Sequence, residues 1–183
     1  ARLKSSARMV EAVEPAVKFY EQPPTTPFVV ETPWTETTLT AGDWADAFDA
    51  AERGTAHNEA RDEVWEELVS IIASRHDDDV PQHALHRALA ANDELAAAFS
   101  RAWPILDAAE IVGDLWSVPA FLRMCAPWLP PGEVRALQRS VPDAWTDADL
   151  PILDRAHRRI GDPAASARRR RQRTDLARER EGM

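Results

Sequence analysis

The sequence predicts a mainly α-helical fold, a bundle of short and medium helices with one small extended patch. Three observations predict it. Thirty-two of the 183 residues are alanine, the strongest helix former. Apolar residues recur at i, i+3, i+4 spacing through most of the chain, and 14 prolines divide that pattern into short pieces. Only residues 22–40 depart from it, with Pro23, Pro24, Pro27 and Pro33 set among Thr, Val and Phe.

Taken in order, residues 3–20 read as a helix with Leu3, Ala7, Val10, Val13 and Val17 at helical spacing, which Pro15 should kink or end early. Phe28–Thr32 and Thr35–Thr40 then read as the two arms of a small hairpin near residues 28–40. Thr40 followed by Asp43 marks a helix start, with Trp44, Ala47, Phe48 and Ala51 on one face and Gly54 at the exit. Residues 56–75 form the strongest stripe, Val64, Trp65, Leu68, Ile71 and Ile72, with the opposite face acidic.

A charged break at 76–81 precedes two helices, 82–91 and 93–103, the second capped by Asn92 and closed before Pro104. Asp107 with Glu110 is another start signal. Because Gly113, Pro119 and Pro127 interrupt it, the segment 105–129 should be short helices anchored by Trp116, Phe121, Leu122 and Trp128. Pro130 and Pro131 open a helix bearing Val134 and Leu137. Thr146 with Asp149 opens one bearing Leu150, Leu153 and Ile160. Asp162–Pro163 starts the last, a basic C-terminal helix with little beyond Leu176 to bury, either exposed or half of an antiparallel arm.

The formal charge is −9 and the pI about 5.0, which disfavours general binding to nucleic acid or an anionic membrane. The charge is uneven: residues 164–183 hold seven arginines against three acids, a net +4, and the body before them holds −13. Cys125 is the only cysteine, so an intrachain disulfide and a thiolate-rich metal site are excluded, and a reducing, cytoplasmic setting is expected. No apolar run approaches the roughly 20 residues that span a bilayer, so no membrane partner is expected.

Several clusters invite a chemical reading. Asp77, Asp78 and Asp79, with His76, His83 and His86 nearby, suit a hard cation or a shared metal, an exposed loop, or a tip presenting negative charge to a partner's basic or metal-containing cavity. Metal binding is the least favoured. Glu59, Glu63 and Glu67, with Asp62 and Glu66, read as a water-facing stripe rather than an acid–base pair. His57 with Asn58, Glu59 and Arg61 sits at a helix start, where polar side chains cap backbone or link neighbouring elements. The six glycines lie no closer than twelve residues apart, so neither a phosphate-cradling loop nor a glycine-flanked nucleophile turn is present. No catalytic residue, metal ligand or cofactor-binding residue is therefore assigned. Cys125 is expected in the core. Arg168, Arg169, Arg170, Arg171 and Arg173 are candidates to track a phosphate backbone, or else form a solvated helical face.

Read together, LKSSARMVEAV at 3–13, HNEAR at 57–61, Trp103–Pro104, IVGDLWSVPAFLRMCAPWL at 111–129, EVRALQR at 133–139 and WTDADLPILDRA at 145–156 form an ordered set. That order resembles the HelD branch of the UvrD/Rep-type superfamily 1 helicase-like ATPases, which release nucleic acid from stalled RNA polymerase. The resemblance implies a segment between the phosphate loop and the magnesium motif of the first motor domain. Residues 1–40 would then belong to the motor edge with the hairpin, 41–163 to a helical insert and 164–183 to a basic arm. It implies a parent that uses ATP and Mg, with RNA polymerase core and the remaining motor domains as partners, and Asp77–Asp79 as candidates for the contacting tip. The alternative is a DNA-contacting accessory domain of a UvrD-type DNA helicase, working through Arg168–Arg173. A stand-alone enzyme is disfavoured by the missing nucleophile, phosphate loop and metal cluster.

Overall fold

The computed structural model describes residues 7–182 and, within the last helix, the side chains other than those of Ser166, Arg169, Arg170 and Arg173. The first four residues of the helix predicted over 3–20 lie outside this range. The protein is mainly helical with one small sheet, as expected. In chain order a 3-10 turn (Met9–Ala12) leads into α1 (Val13–Lys18), β1 (Phe28–Glu31), β2 (Glu36–Leu39), α2 (Ala41–Asp49), α3 (His57–Ala73), α4 (Gln82–Ala90) and α5 (Asp93–Ala102). These are followed by α6 (Ala108–Ser117), α7 (Pro119–Cys125), α8 (Pro131–Leu137), a 3-10 turn (Asp147–Asp149), α9 (Leu150–Ile160) and α10 (Ala165–Glu181). No helix among the described residues is long and apolar enough to cross a membrane.

The chain divides into two compact units. The hairpin unit gathers Tyr20–Thr55 and Ala60–Ile105. Its two strands pair antiparallel, Phe28 opposite Leu39 and Val30 opposite Thr37, so that Val30, Thr37 and Leu39 are buried while Val29, Glu31, Glu36 and Thr38 face out. Among the described residues no non-glycine has positive φ, so the favoured primed hairpin turns are not used. Instead the Thr32 hydroxyl accepts from the Thr35 N–H at 3.2 Å, standing in for a backbone carbonyl, and Thr32 N–H donates to Thr35 O at 3.0 Å. The core joins Val30, Leu39 and Trp44 to Val64, Leu68 and Ile72 of α3 and to Leu85, Leu89, Leu95 and Phe99 of α4 and α5.

Side-chain caps set the starts of α2 and α5 in this unit, whereas α4 follows Pro81 with no side-chain cap. Thr40 and Asp43 form a reciprocal capping box, and the Asn92 side chain accepts from the Leu95 N–H at 2.9 Å. The exit of α2 differs from expectation. The helix stops at Asp49, where Ala50 and Ala51 close it with i→i−3 bonds, and Gly54, at φ +87°, serves the following turn. The acidic flank of α3 also departs from a solvated stripe: Asp62, Glu63 and Glu67 are half-buried, and Glu63 accepts the Glu52 N–H at 3.2 Å.

The second unit gathers the segment through Phe19, Ala56–Glu59 and the chain from Leu106 on. Pro15 lies inside α1, and the turn before it is 3-10 rather than α, since a prolyl nitrogen cannot donate to the carbonyl four residues back. Val13, Ala16 and Val17 of α1 are buried with Ile111, Val112, Leu115 and Trp116 of α6, Leu122 and Cys125 of α7, and Ile152, Ala156 and Ile160 of α9. Burial pushes the Cys125 thiol up to about 11, the mark of an inert core residue rather than a nucleophile. Trp116, Phe121 and Leu122 are buried as predicted, whereas Trp128 is half-buried under the Arg8 guanidinium.

The predicted face of α9 is wrong. Leu150 is 60% exposed and Leu153 half-buried, while Ile152 and Ala156 join Ile160 inside. The 3-10 turn ahead of α9 buries Asp149, where it meets Arg139, and that anchor sets the register with residues 152, 156 and 160 inward. Leu176 of α10 is exposed, in keeping with a helix that has no apolar face.

Two polar knots hold the second unit. Asn58, fully buried, donates from Nδ2 to Leu106 O at 2.8 Å and to Gly161 O at 3.2 Å, and its Oδ1 accepts the Leu106 N–H at 2.9 Å. Arg139 donates to Pro142 O, Ala144 O and Asp149 Oδ2, and its guanidinium lies 5.1 Å from the Trp145 ring centroid. Arg159 of α9 closes a bidentate pair with Glu14 of α1 at 2.7 and 3.2 Å.

Candidate functional site

In the hairpin unit a polar cleft of about 320 Å³ opens between the strand turn and the loop after α3, lined by Trp34, Thr35, Arg75, His76, Asp77, Asp79 and Val80. Its floor is built from α3 outward. The last turns of that helix bury Leu68 and Ile72, which leaves Arg75 and His76 at its end, directed by the groups they bond. Arg75 donates to both carboxylate oxygens of Asp43, at 2.7 and 2.8 Å, and to Thr38 O at 2.9 Å. The Arg75 hydrogen bonds hold the Asp43 carboxyl down to about 2, against opposing desolvation, with help from Thr40. The guanidinium is raised above its ordinary value chiefly by the same bonds.

His76 is buried and used at both ring nitrogens. Nδ1 donates to Ile72 O at 2.9 Å, and Nε2 lies 2.8 Å from Thr32 Oγ1. The same Thr32 hydroxyl holds the turn, so His76 ties the end of α3 to the hairpin tip. Trp34 sits on that tip, 42% exposed, its ring meeting the His76 imidazole edge-on with centroids 6.4 Å apart. Asp77, Asp78 and Asp79 are all exposed in a tight turn closed by the Val80 N–H donating to Asp77 O at 3.1 Å.

The sequence-derived candidates divide accordingly. Asp77 and Asp79 line the cleft, and Asp78 belongs to the same turn. His76 is committed to structural bonds, His83 and His86 are exposed on α4, and no group of three or more potential ligands among the described residues is arranged to hold a metal. Arg168 and Arg171 are exposed on α10, Arg168 bonding back to Asp162; the side chains of Arg169, Arg170 and Arg173 lie outside those described. The sequence reading did not bring in Trp34 and Arg75. A tryptophan placed after Pro33 in a turn, with no apolar periodicity to bury it, was the available signal.

The cleft can therefore offer an aromatic ring and two carboxylates, while its own guanidinium is engaged elsewhere. In comparison with known proteins, the chain matches no protein-family model and no curated protein.

Proposed function

We propose that this chain is a docking module inserted in a helicase-like ATPase, which contacts RNA polymerase and helps release bound nucleic acid. The observation that carries the reading is the loop at Asp77–Asp79: three exposed carboxylates on an acidic body, two of which, Asp77 and Asp79, line a polar cleft beside the hairpin turn. The ordered segments resembling the HelD branch support the identity of the partner. An acidic, rigid surface competes with DNA and RNA for the basic surfaces that hold them, and its field acts before contact is made. ATP and Mg belong to the parent motor in this reading, with no bond broken by the module itself.

Binding of the chain to core RNA polymerase and to DNA, each at two salt concentrations, tests this. The docking reading expects polymerase binding that weakens on replacing Asp77, Asp78 and Asp79 with serine, and negligible affinity for DNA. DNA binding with a steep salt slope, lost on removing the charges of Arg168–Arg171 and Arg173, would instead establish the accessory domain of a DNA helicase.

A further inference from the structure

We propose that His76 is a proton-operated latch on the hairpin: proton uptake by its imidazole turns the Thr32 hydroxyl from His76 Nε2 to the Thr35 carbonyl, and so closes the turn that carries Trp34. The inference rests on hydrogen-bond geometry and holds whether or not the docking reading does.

An inventory of hydrogens leads to it. Ile72 O can only accept, so its 2.9 Å contact places a proton on His76 Nδ1. The Thr32 hydroxyl then has two acceptors for its single hydrogen, Thr35 O at 2.9 Å and His76 Nε2 at 2.8 Å. In a neutral imidazole protonated at Nδ1, Nε2 is bare and the hydroxyl must serve it. Thr35 O is left with the Thr32 N–H alone, at 3.0 Å. In the imidazolium, Nε2 is itself the donor to Thr32 Oγ1, and the hydroxyl hydrogen is released to Thr35 O. Proton uptake therefore adds one hydrogen bond to the turn while the tie to α3 is kept with its polarity reversed.

The surroundings can carry the added charge. Arg75, beside His76 on the same helix end, is already matched by its bidentate bond to Asp43 of α2. Asp77 and Asp79, in the loop that follows, line the same cleft as exposed carboxylates. From the hairpin, the groups that meet the imidazole are the uncharged Thr32 and Trp34. The acids flanking the turn, Glu31 and Glu36, are exposed opposite each other at the strand ends, and His83 and His86 of α4 are exposed as well. An imidazolium at position 76 thus places a positive charge at the root of the Asp77–Asp79 loop, against two carboxylates and a guanidinium that is already paired.

Two backbone groups report on the latch. The Thr35 N–H at 3.2 Å and the Trp34 N–H at 3.4 Å both donate to Thr32 Oγ1, the atom whose hydrogen is redirected. Trp34, 42% exposed, consequently stands on a turn with two donors to Thr35 O in the acid form and one in the basic form.

The test is an NMR titration of the nitrogen-labelled full chain from roughly pH 8 to pH 5, the range in which histidines change charge. The shifts of the two ring nitrogens give the tautomer. At the upper end Nδ1 should be protonated and Nε2 bare. As Nε2 gains its proton, the Trp34 and Thr35 amides should move with the same midpoint, and exchange protection of the Thr32 amide should rise about fivefold, the equivalent of one hydrogen bond. Thr32→Val, similar in shape and without the hydroxyl, should abolish the gain in protection while His76 still titrates, and Thr32→Ser should retain it. An Nε2–H tautomer at the upper end, an imidazole that stays neutral throughout, or protection unchanged across its titration would overturn the proposal. So would an equal gain in Thr32→Val. The first three outcomes are read on the parent chain, so the test decides even where a variant fails to fold.

Discussion

Asn58→Asp is the most informative single substitution in the second unit. The change is isosteric and keeps the acceptor for the Leu106 N–H, yet it replaces the amide donor that serves Leu106 O at 2.8 Å and Gly161 O at 3.2 Å. Two hydrogen bonds of about 1 kcal/mol each are lost, and two carbonyls then face a buried carboxylate, adding roughly 1–3 kcal/mol. The expected loss is about 4 kcal/mol at neutral pH, or about 10 °C in melting temperature for a chain of this size. The sign with pH follows from burial beside carbonyls, which raises the new carboxyl above its unfolded value near 4. Its cost is thus fully present above the folded value and shrinks as pH falls through it, when a proton restores one donor. Urea melts of the parent and the variant at pH 7 and 4.5 read both quantities. A loss under 1 kcal/mol, or a gap that stays constant between the two pH values, would refute the assignment of Asn58 as the clamp.

Three further perturbations have defined outcomes. Gly161 ends α9 at φ +79°, ψ −172°, and a Cβ there would lie 2.9 Å from the Ala56 Cβ, so Gly161→Ala should cost about 2–4 kcal/mol, with Ala56→Gly recovering only the contact part; thermal melts of the single and double variants measure the split. Arg139→Lys removes the fork that serves Pro142, Ala144 and the buried Asp149 together and should cost about 2–4 kcal/mol in denaturant, whereas a loss below half that would mean the knot is incidental. Asp43 is stabilised by its Arg75 bonds above the unfolded carboxyl value near 4, and that stabilisation fades as pH falls to about 2; because Arg75 is 40% exposed it amounts to about 1 kcal/mol. The stability difference between the parent and Asp43→Asn should accordingly be constant from pH 7 to 5, shrink as pH falls below about 4, and lose its ionic part only below about pH 2.

What was legible in the residues was mostly local. Helix starts could be read because the caps are written within four residues: Thr40 with Asp43, Asn92 with Leu95, Asp107 with Glu110, and Thr146 with Asp149. The hairpin could be read from composition although its turn lacks glycine, since Thr32 supplies the acceptor that a tight turn needs. The inward face of α9 could not, because a buried Asp149–Arg139 bond, spanning ten residues, outweighs the apolar pull of Leu150. The acidic loop of the candidate site was visible as charge alone. Its partners were not, since Trp34 reaches it through a hydroxyl–imidazole bond across 44 residues and Arg75 is neutralised by an acid 32 residues earlier.

Capture of core RNA polymerase by the chain, compared with capture by a variant carrying serine at 77, 78 and 79, bears most directly on the docking reading. The account predicts binding that is salt-sensitive and clearly reduced in the variant, with no ATP turnover by the chain alone. Equal capture of polymerase by both, or hydrolysis of ATP by the isolated chain, would contradict it.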